Sequence, residues 1–211
     1  MSKNFYTSDL HFNHEKIYSN GTRPPFKTAA EAQETIINNF NSVVKPNDNL
    51  YILGDLTLSA SYDDLVAFLR RLNGNKIVIQ GNHDRQRTLE KLKEDKVIAN
   101  WHPWKGCKDQ GVSIFMTHFV PLEAHTGPEL KLYLHGHVHG NLRSILKCPL
   151  RIDVGVDFWN FYPFSMDKVC PEYLNAIRLG ELPCPYACSD VMCQICKQAI
   201  EFSMIRKLSA E

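Results

Sequence analysis

The sequence predicts a mixed α/β protein with more than one β-sheet. Three observations carry this. Short apolar runs recur, each closed by glycine and polar side chains, as in KIVIQGNHDR at 76–85 and LYILGD at 50–55. Helical patterns alternate with these runs in the first half of the chain. Strand-like runs then follow one another through the middle, which a simple doubly wound sheet does not require.

Taken in order, Asn4 to Thr7 is short and β-prone, and runs into Ser8-Asp9-Leu10-His11-Phe12-Asn13-His14. On extended backbone, Asp9 and His11 point to one side. Thr28-Ala29-Ala30-Glu31 is a capping box opening a helix to about Val44, with Ile36, Ile37 and Phe40 on its apolar face. Pro46 and Asn47 stop it. Leu50 to Leu53 is the next strand and ends on Gly54-Asp55. Ser61 and Asp64 begin a second helix that buries Leu65, Phe68, Leu69 and Leu72. Asn73-Gly74-Asn75 is a turn into the central strand Ile77–Ile79, whose continuous apolar run suits burial on both faces. Gly81 ends that strand and presents Asn82, His83 and Asp84. Arg85 to Asp95 reads as a third helix, with Leu89 and Leu92 inward. Val97 to Trp104 and Val112 to Phe119 read as a pair of strands joined by a loop, the second carrying His118. Leu130 to Leu134 is a strand followed by His135-Gly136-His137-Val138-His139-Gly140, and Ile152 leads to Gly155-Val156-Asp157. Met166 to Val169 reads as a last edge strand, and Pro171 to Leu179 as a short helix.

Composition excludes several classes. The 211 residues are 44% hydrophobic and 22% charged, ordinary for a globular domain with a sizeable core. A net charge of +1 leaves no electrostatic footprint for a dedicated duplex nucleic-acid binder. No apolar run reaches the roughly 18 residues of a membrane span, and the N-terminal stretch has no basic and apolar signal region. The expected location is cytoplasmic, where seven cysteines are reduced thiols rather than a disulfide frame.

The strand-end polar groups are Asp9, His11, Asp55, Asn82, His83, His118, His137 and His139. A mononuclear zinc site needs three or four ligands. This set is too large for one ion and suits two, with a carboxylate such as Asp55 able to bridge them. Two cations roughly 3.5–4 Å apart can clamp the attacking and leaving oxygens of a phosphoryl group. Nitrogen and oxygen donors without thiolate favour manganese, iron, zinc or nickel over copper(I).

Asp-x-His, Gly-Asp, Gly-Asn-His-Asp, a later His and Gly-His-x-His, in that order from Asp9 to His139, resemble the calcineurin-like metallophosphoesterase superfamily. Gly54-Asp55-Leu56 lacks the continuation of the Ser/Thr protein phosphatases, and Gly136-His137-Val138-His139 is the ending of phosphodiesterase-type members. Asp9 to His14, Arg23-Pro24-Pro25-Phe26 and Gly155-Val156-Asp157 with Pro163 also resemble a small single-domain bacterial and phage branch. Asn13 stands where that branch has glycine, and one proline of the Arg-Pro-Phe piece is extra.

The resemblance implies an α/β/β/α sandwich of two packed mixed β-sheets flanked by helices, over residues 1–180. It implies a first metal held by Asp9, His11 and His139, a second held by Asn82, His118 and His137, and Asp55 bridging. Manganese is the ion expected to support activity. His83 is implied as the group that assists the leaving alkoxide, with Asp84 accepting its other N–H. The implied reaction is in-line attack by a metal-bound hydroxide on a phosphodiester or phosphoanhydride of a small nucleotide-type substrate. The alternatives are a phosphomonoesterase acting on a small metabolite or phosphoprotein, and a non-catalytic metal-binding scaffold.

Other residues are open to two readings. His14 could face the mouth of the site and Arg23 could grip an anionic substrate. His135 reads as packing or as support for a ligand; His102 and His125 carry no pattern. Arg85 reads as a helix-start residue at the surface. Trp101, Trp104, Phe158, Trp159, Phe161, Tyr162 and Phe164 are core, an interface or base-stacking groups. Residues 181–211 read as a helical extension carrying Cys184, Cys188, Cys193 and Cys196, whose spacing does not match a structural zinc site. Its apolar stripe packs on the domain or pairs with a second copy in a homodimer.

Overall fold

A computed structural model gives the architecture, described here for residues 2–19, 23, 26–121, 131–139, 150–169 and 171–179. Two four-stranded sheets pack face to face. The first contains β1 (Asn4–Thr7), β2 (Asn49–Ile52), β3 (Asn75–Ile79) and β4 (Asn100–His102), in that order and all parallel. The second contains β5 (Lys105–Asp109), β6 (Val112–Met116), β7 (Lys131–His135) and β8 (Arg151–Asp153). Among the described strands of this sheet, β5 and β6 pair antiparallel, and β6, β7 and β8 are parallel. The expected two-sheet sandwich is therefore the fold, with one sheet wholly parallel and the other mixed.

Alternation along the strands explains why both faces of the first sheet are apolar. Tyr6, Tyr51, Leu53, Ile77 and Ile79 face the second sheet and meet Ile114, Met116, Leu132, Leu134, Ile152, Phe158 and Trp159. Phe5, Leu50, Ile52 and Val78 face outward, under α2 (Ala29–Val43), α3 (Tyr62–Arg71) and α4 (Gln86–Glu94). Thr28 caps α2 by accepting from the Glu31 N–H, and Ser61 caps α3 by accepting from the Asp64 N–H, as the sequence signals predict. A one-turn helix, α1 (Lys16–Ser19), follows the Asp9–His14 loop, and α5 (Pro171–Arg178) packs on β6. No helix among the described residues is long and apolar enough to cross a membrane.

Two sequence expectations fail. Val97–Trp104 and Val112–Phe119 are not partners in one hairpin. β4 joins the first sheet beside β3, and the hairpin partner of β6 is β5, whose polar sequence KGCKD hides it from a hydrophobic pattern. That strand lies at a sheet edge, where little side-chain burial is demanded. Met166–Val169 is not an edge strand: Met166–Lys168 is a short 3-10 turn, which buries only Met166 and Val169 of the run. The extension at 181–211, its four cysteines, and His125 lie outside the described residues.

Candidate metal centre

The parallel strands of both sheets deliver their C-terminal ends to one side of the sandwich, the usual place for a site in parallel α/β structure. Asp9 follows β1, Asp55 follows β2, and Asn82 and His83 follow β3. His118 follows β6, and His137 and His139 follow β7. The loop after β1 is tied to the loop after β2 by Asp9 N–H to the Gly54 carbonyl (3.1 Å), His11 N–H to the Asp55 carbonyl (3.0 Å) and Phe12 N–H to the Leu56 carbonyl (2.8 Å).

Backbone conformation is unusual here. Asp9, His11, Asp55, His137 and His139 all have positive φ, between 46° and 72°. Non-glycine residues in this region are strained by roughly 1–3 kcal/mol each, and such strain concentrates at functional sites. Asn13 also has φ 58°, in the left-handed region that asparagine visits more readily than most side chains. Gly54 has φ 89°, and a Cβ there would lie 2.6 Å from Gly81 Cα and 2.7 Å from His118 Nδ1. Glycine is thus required for the β2 and β3 turns to touch.

Two groups of donor atoms form. In the first, Asp9, His11 and His139 bring one ligand atom each within 4.8 Å of one another; in the second, Asp55, His118 and His137 do the same. Asn82 joins the second, its Oδ1 standing 2.9 Å from His118 Nε2. Asp55 Oδ2 lies between the groups, 3.4 Å from His118 Nε2 and 3.7 Å from His11 Nε2. All seven sequence-predicted ligand positions therefore converge.

The hydrogen bonds fit a cation. His118 Nδ1–H donates to the Leu53 carbonyl (2.7 Å), which leaves the Nε2 lone pair facing the Asn82 oxygen. Two acceptors at that distance repel unless something positive sits between them. His139 Nδ1–H donates to Asp157 (2.7 Å), so its Nε2 lone pair faces His11 Nε2 at 3.2 Å. Burial pulls His11 down to about 2, keeping the imidazole neutral as a ligand must be. Burial pushes Asp9 up to about 8, a cost that a bound cation offsets.

Two predicted roles need revision. Arg23 does not face the substrate side. It is 1% exposed, donates from Nε and Nη2 to both oxygens of Asp157 (2.7 and 3.1 Å), and from Nη1 to the Leu10 carbonyl and Tyr18 hydroxyl. Its Nη2 also donates to the Asp9 carbonyl. The guanidinium is thus a buttress behind the first group. Asp84 does not hold the His83 ring. Its carboxylate accepts from the N–H groups of Asp55 (2.8 Å), Leu56 (2.9 Å) and Gly81 (2.9 Å), fixing the two turns against each other. His135 is buried and belongs to neither donor group, in keeping with its reading as a packing residue.

His83 Nε2 lies 3.9 Å from Asp55 Oδ2, with 36% of the side chain exposed, at the edge of the cage. His14 is half-buried at the rim, its ring centroid 5.5 Å from that of His11. Arg85 is exposed and immediately precedes α4, as expected. Of the seven aromatics, Phe158, Trp159 and Phe164 are inter-sheet core and Trp104 is exposed on Phe115. Two residues escaped the sequence reading. Phe119, 51% exposed, is edge-on to His118 and His137 at the mouth. Asp157 carries no role there, although Gly155-Val156-Asp157 repeats the pattern of strand, glycine and carboxylate that singled out Asp55. Burial alone would raise Asp157; the charges of Arg23 and His139 outweigh it and hold the carboxyl down at about 2.

A two-sheet sandwich that gathers histidines, carboxylates and an amide at its strand ends has the donor set of a metal-binding protein. Residues 5–141 match the family of calcineurin-like phosphoesterases, and the chain belongs to that family of metal-dependent phosphoester hydrolases. It is 33% identical over 174 residues to an uncharacterised protein of Methanocaldococcus jannaschii, covering 80% of this chain and 90% of the relative. It is 26% identical over 187 residues to the Gene 66 protein of Mycobacterium phage L5, covering 75% and 88%. A crystal structure of a protein of unknown function from Aquifex aeolicus superposes with a TM-score of 0.64 at 26% identity, covering 80% of this chain and 98% of the other.

Proposed function

We propose that the protein is a dimetal phosphoesterase hydrolysing a phosphodiester or phosphoanhydride bond of a small nucleotide-type substrate. The observation that carries this reading is the shared carboxylate: Asp55 Oδ2 stands within 3.4 and 3.7 Å of imidazoles belonging to two separate donor groups. Asp9, His11 and His139 would hold one cation, Asn82, His118 and His137 the other, and Asp55 both. The donor set of nitrogen and oxygen suits manganese, iron, zinc or nickel, and manganese is the ion we expect to support turnover.

When bound, the two cations supply an activated water and neutralise charge on the non-bridging phosphate oxygens. The chain's own residues do the rest. Asp84 sets the β2 and β3 turns so that Asp55, Asn82 and His83 keep a fixed spacing. His14, at the rim beside His11, contacts the phosphate. The attacking water gives up a proton to bulk solvent as its oxygen bonds to phosphorus, the ester oxygen departs with the bonding pair, and His83 gives that oxygen a proton.

Metal analysis combined with turnover of bis(4-nitrophenyl) phosphate tests this. Asp55→Asn should lose metal and activity together. His83→Ala should retain both ions and lose on the order of 10²–10⁴-fold in turnover. Full activity in the Asp55 variant would overturn the mechanism.

A further inference from the structure

A cleft of about 240 Å³ opens beside His83, between the loop after β2 and the start of α4. Leu56, Leu65 and Leu89 are buried beneath it. Its walls are fixed before any ligand arrives. The Thr57 hydroxyl donates to the Phe12 carbonyl (2.7 Å) and accepts from the Ala60 N–H (3.1 Å), holding the loop. On the far side, Tyr62 donates to Asp95 (2.7 Å) with the Lys91 ammonium 3.9 Å from its ring centroid. The cleft is therefore a braced recess, and it shares one wall residue with the edge of the cage: His83 lines it and also stands 3.9 Å from Asp55 Oδ2.

Its free chemistry is specific. The Ser59 and Thr88 hydroxyls and the Arg85 guanidinium line the recess and have no side-chain hydrogen-bond partner among the described residues. Asp84 also lines it, but its carboxylate is committed to three main-chain amides. Arg85 is thus the uncommitted formal charge of the lining, over an apolar floor. Pockets for drug-sized ligands measure roughly 300–1,000 Å³, so this one suits a smaller organic group.

We propose that this recess receives the leaving half of the substrate, and that this half is a sugar-sized organic group bearing its own phosphate, read by Arg85 with Ser59 and Thr88. The proposal rests on the phosphoesterase reading above, because it is His83 that joins recess to cage. A substrate of this kind carries two phosphates, one at the cations and one at Arg85. Leu58, 46% exposed at the lip of the recess, would cover the carbon skeleton between them. Bidentate guanidinium–phosphate pairing makes the second phosphate worth more than a surface charge contact.

Calorimetric titration of the manganese-loaded protein with ribulose 1,5-bisphosphate and with ribulose 5-phosphate isolates the second phosphate, and needs no turnover. The bisphosphate should bind at least tenfold more tightly. In Arg85→Ala that preference should collapse to less than threefold, and Leu58→Glu should weaken both sugars relative to inorganic phosphate. Thermal unfolding of each variant identifies a folding failure, in which case Thr88→Val with Ser59→Ala replaces it and should at least halve the preference. Equal affinity of the native protein for the two sugars, or an unchanged preference in Arg85→Ala, overturns the proposal. The phosphoesterase reading fails separately, through absence of bis(4-nitrophenyl) phosphate hydrolysis with every divalent ion supplied.

Discussion

On one side of Asp55, the donor atoms of Asp9, His11 and His139 are backed by a buried ion pair; on the other, those of Asn82, His118 and His137 are backed by main chain. Arg23 and Asp157 stand behind the first group, with Asp157 accepting from His139 and Arg23 reaching the Asp9 carbonyl. Behind the second, His118 donates to the Leu53 carbonyl, and Asp84 gathers three amides of the β2 and β3 turns. The first arrangement makes its histidine a more basic ligand, because the ring N–H faces a full negative charge. It also stakes stability on a desolvated charge pair. The second is cheaper to fold and more exposed, with His137 at the surface. Two sites built from the same side-chain types should thus differ in what they tolerate.

The largest expected difference is in Arg23. Its head group serves Asp157, two carbonyls and the Tyr18 hydroxyl that anchors α1. Arg23→Met leaves Asp157 buried without its main counter-charge, which costs about 3–5 kcal/mol. Urea unfolding of the metal-free protein measures it. Arg23→Met combined with Asp157→Leu should recover part of the loss, because neither charge is then stranded. A loss under about 1 kcal/mol in the single variant would mean that charge does not brace the first half.

Asp84→Ala is the matching cut on the other side. It removes the acceptor from the N–H groups of Asp55, Leu56 and Gly81 together, while leaving no charge behind. Unsatisfied buried donors cost roughly 1–3 kcal/mol each, and water entering from the adjoining cleft should limit the total to about 2–3 kcal/mol. The same unfolding measurement ranks it against Arg23→Met. If it ranks above, the two halves are braced in the reverse order of strength.

How much of this was legible in the sequence follows the same division. A strand that ends on glycine and a ligand-type residue marks its own chemistry, so Asp55 and Asn82 with His83 stand out; the Asp-x-His spacing also picks out Asp9 with His11, but both are left-handed rather than extended, so period two is not what brings them together. Side chains that act on the backbone do not announce themselves. Asp84 reads as the partner of its neighbour His83, yet it serves amides 28 and 29 residues away as well as one nearby. Arg23 sits in a proline-rich stretch that looks like solvated loop, and nothing local says that it turns inward to meet a carboxylate 134 positions later. The edge strand β5 was hidden for a related reason: its pairing is main-chain, and its side chains carry no apolar pattern.

Asp157→Asn tests the comparison at the metal itself, with the smallest change. The amide oxygen can still accept from His139 Nδ1–H, so the ring keeps its orientation; the charge behind it is lost, and the amide nitrogen replaces the oxygen that accepted from Arg23 Nε. Changes of this kind cost 10- to 100-fold in metal affinity, about 1.4–2.7 kcal/mol. Manganese titration of the apo-protein should therefore show one of two binding steps weakened by that factor and the other moved less than twofold. No side-chain substitution can do the same to His118, whose partner is the Leu53 carbonyl. Asn82→Ala, which removes a donor atom from the second group alone, should weaken the complementary step. The expected pattern is two variants, each moving a different step of one titration. If both variants weaken the same step, or each weakens both steps equally, the ions do not occupy separately braced halves, and Asp55 would have to belong to a single site.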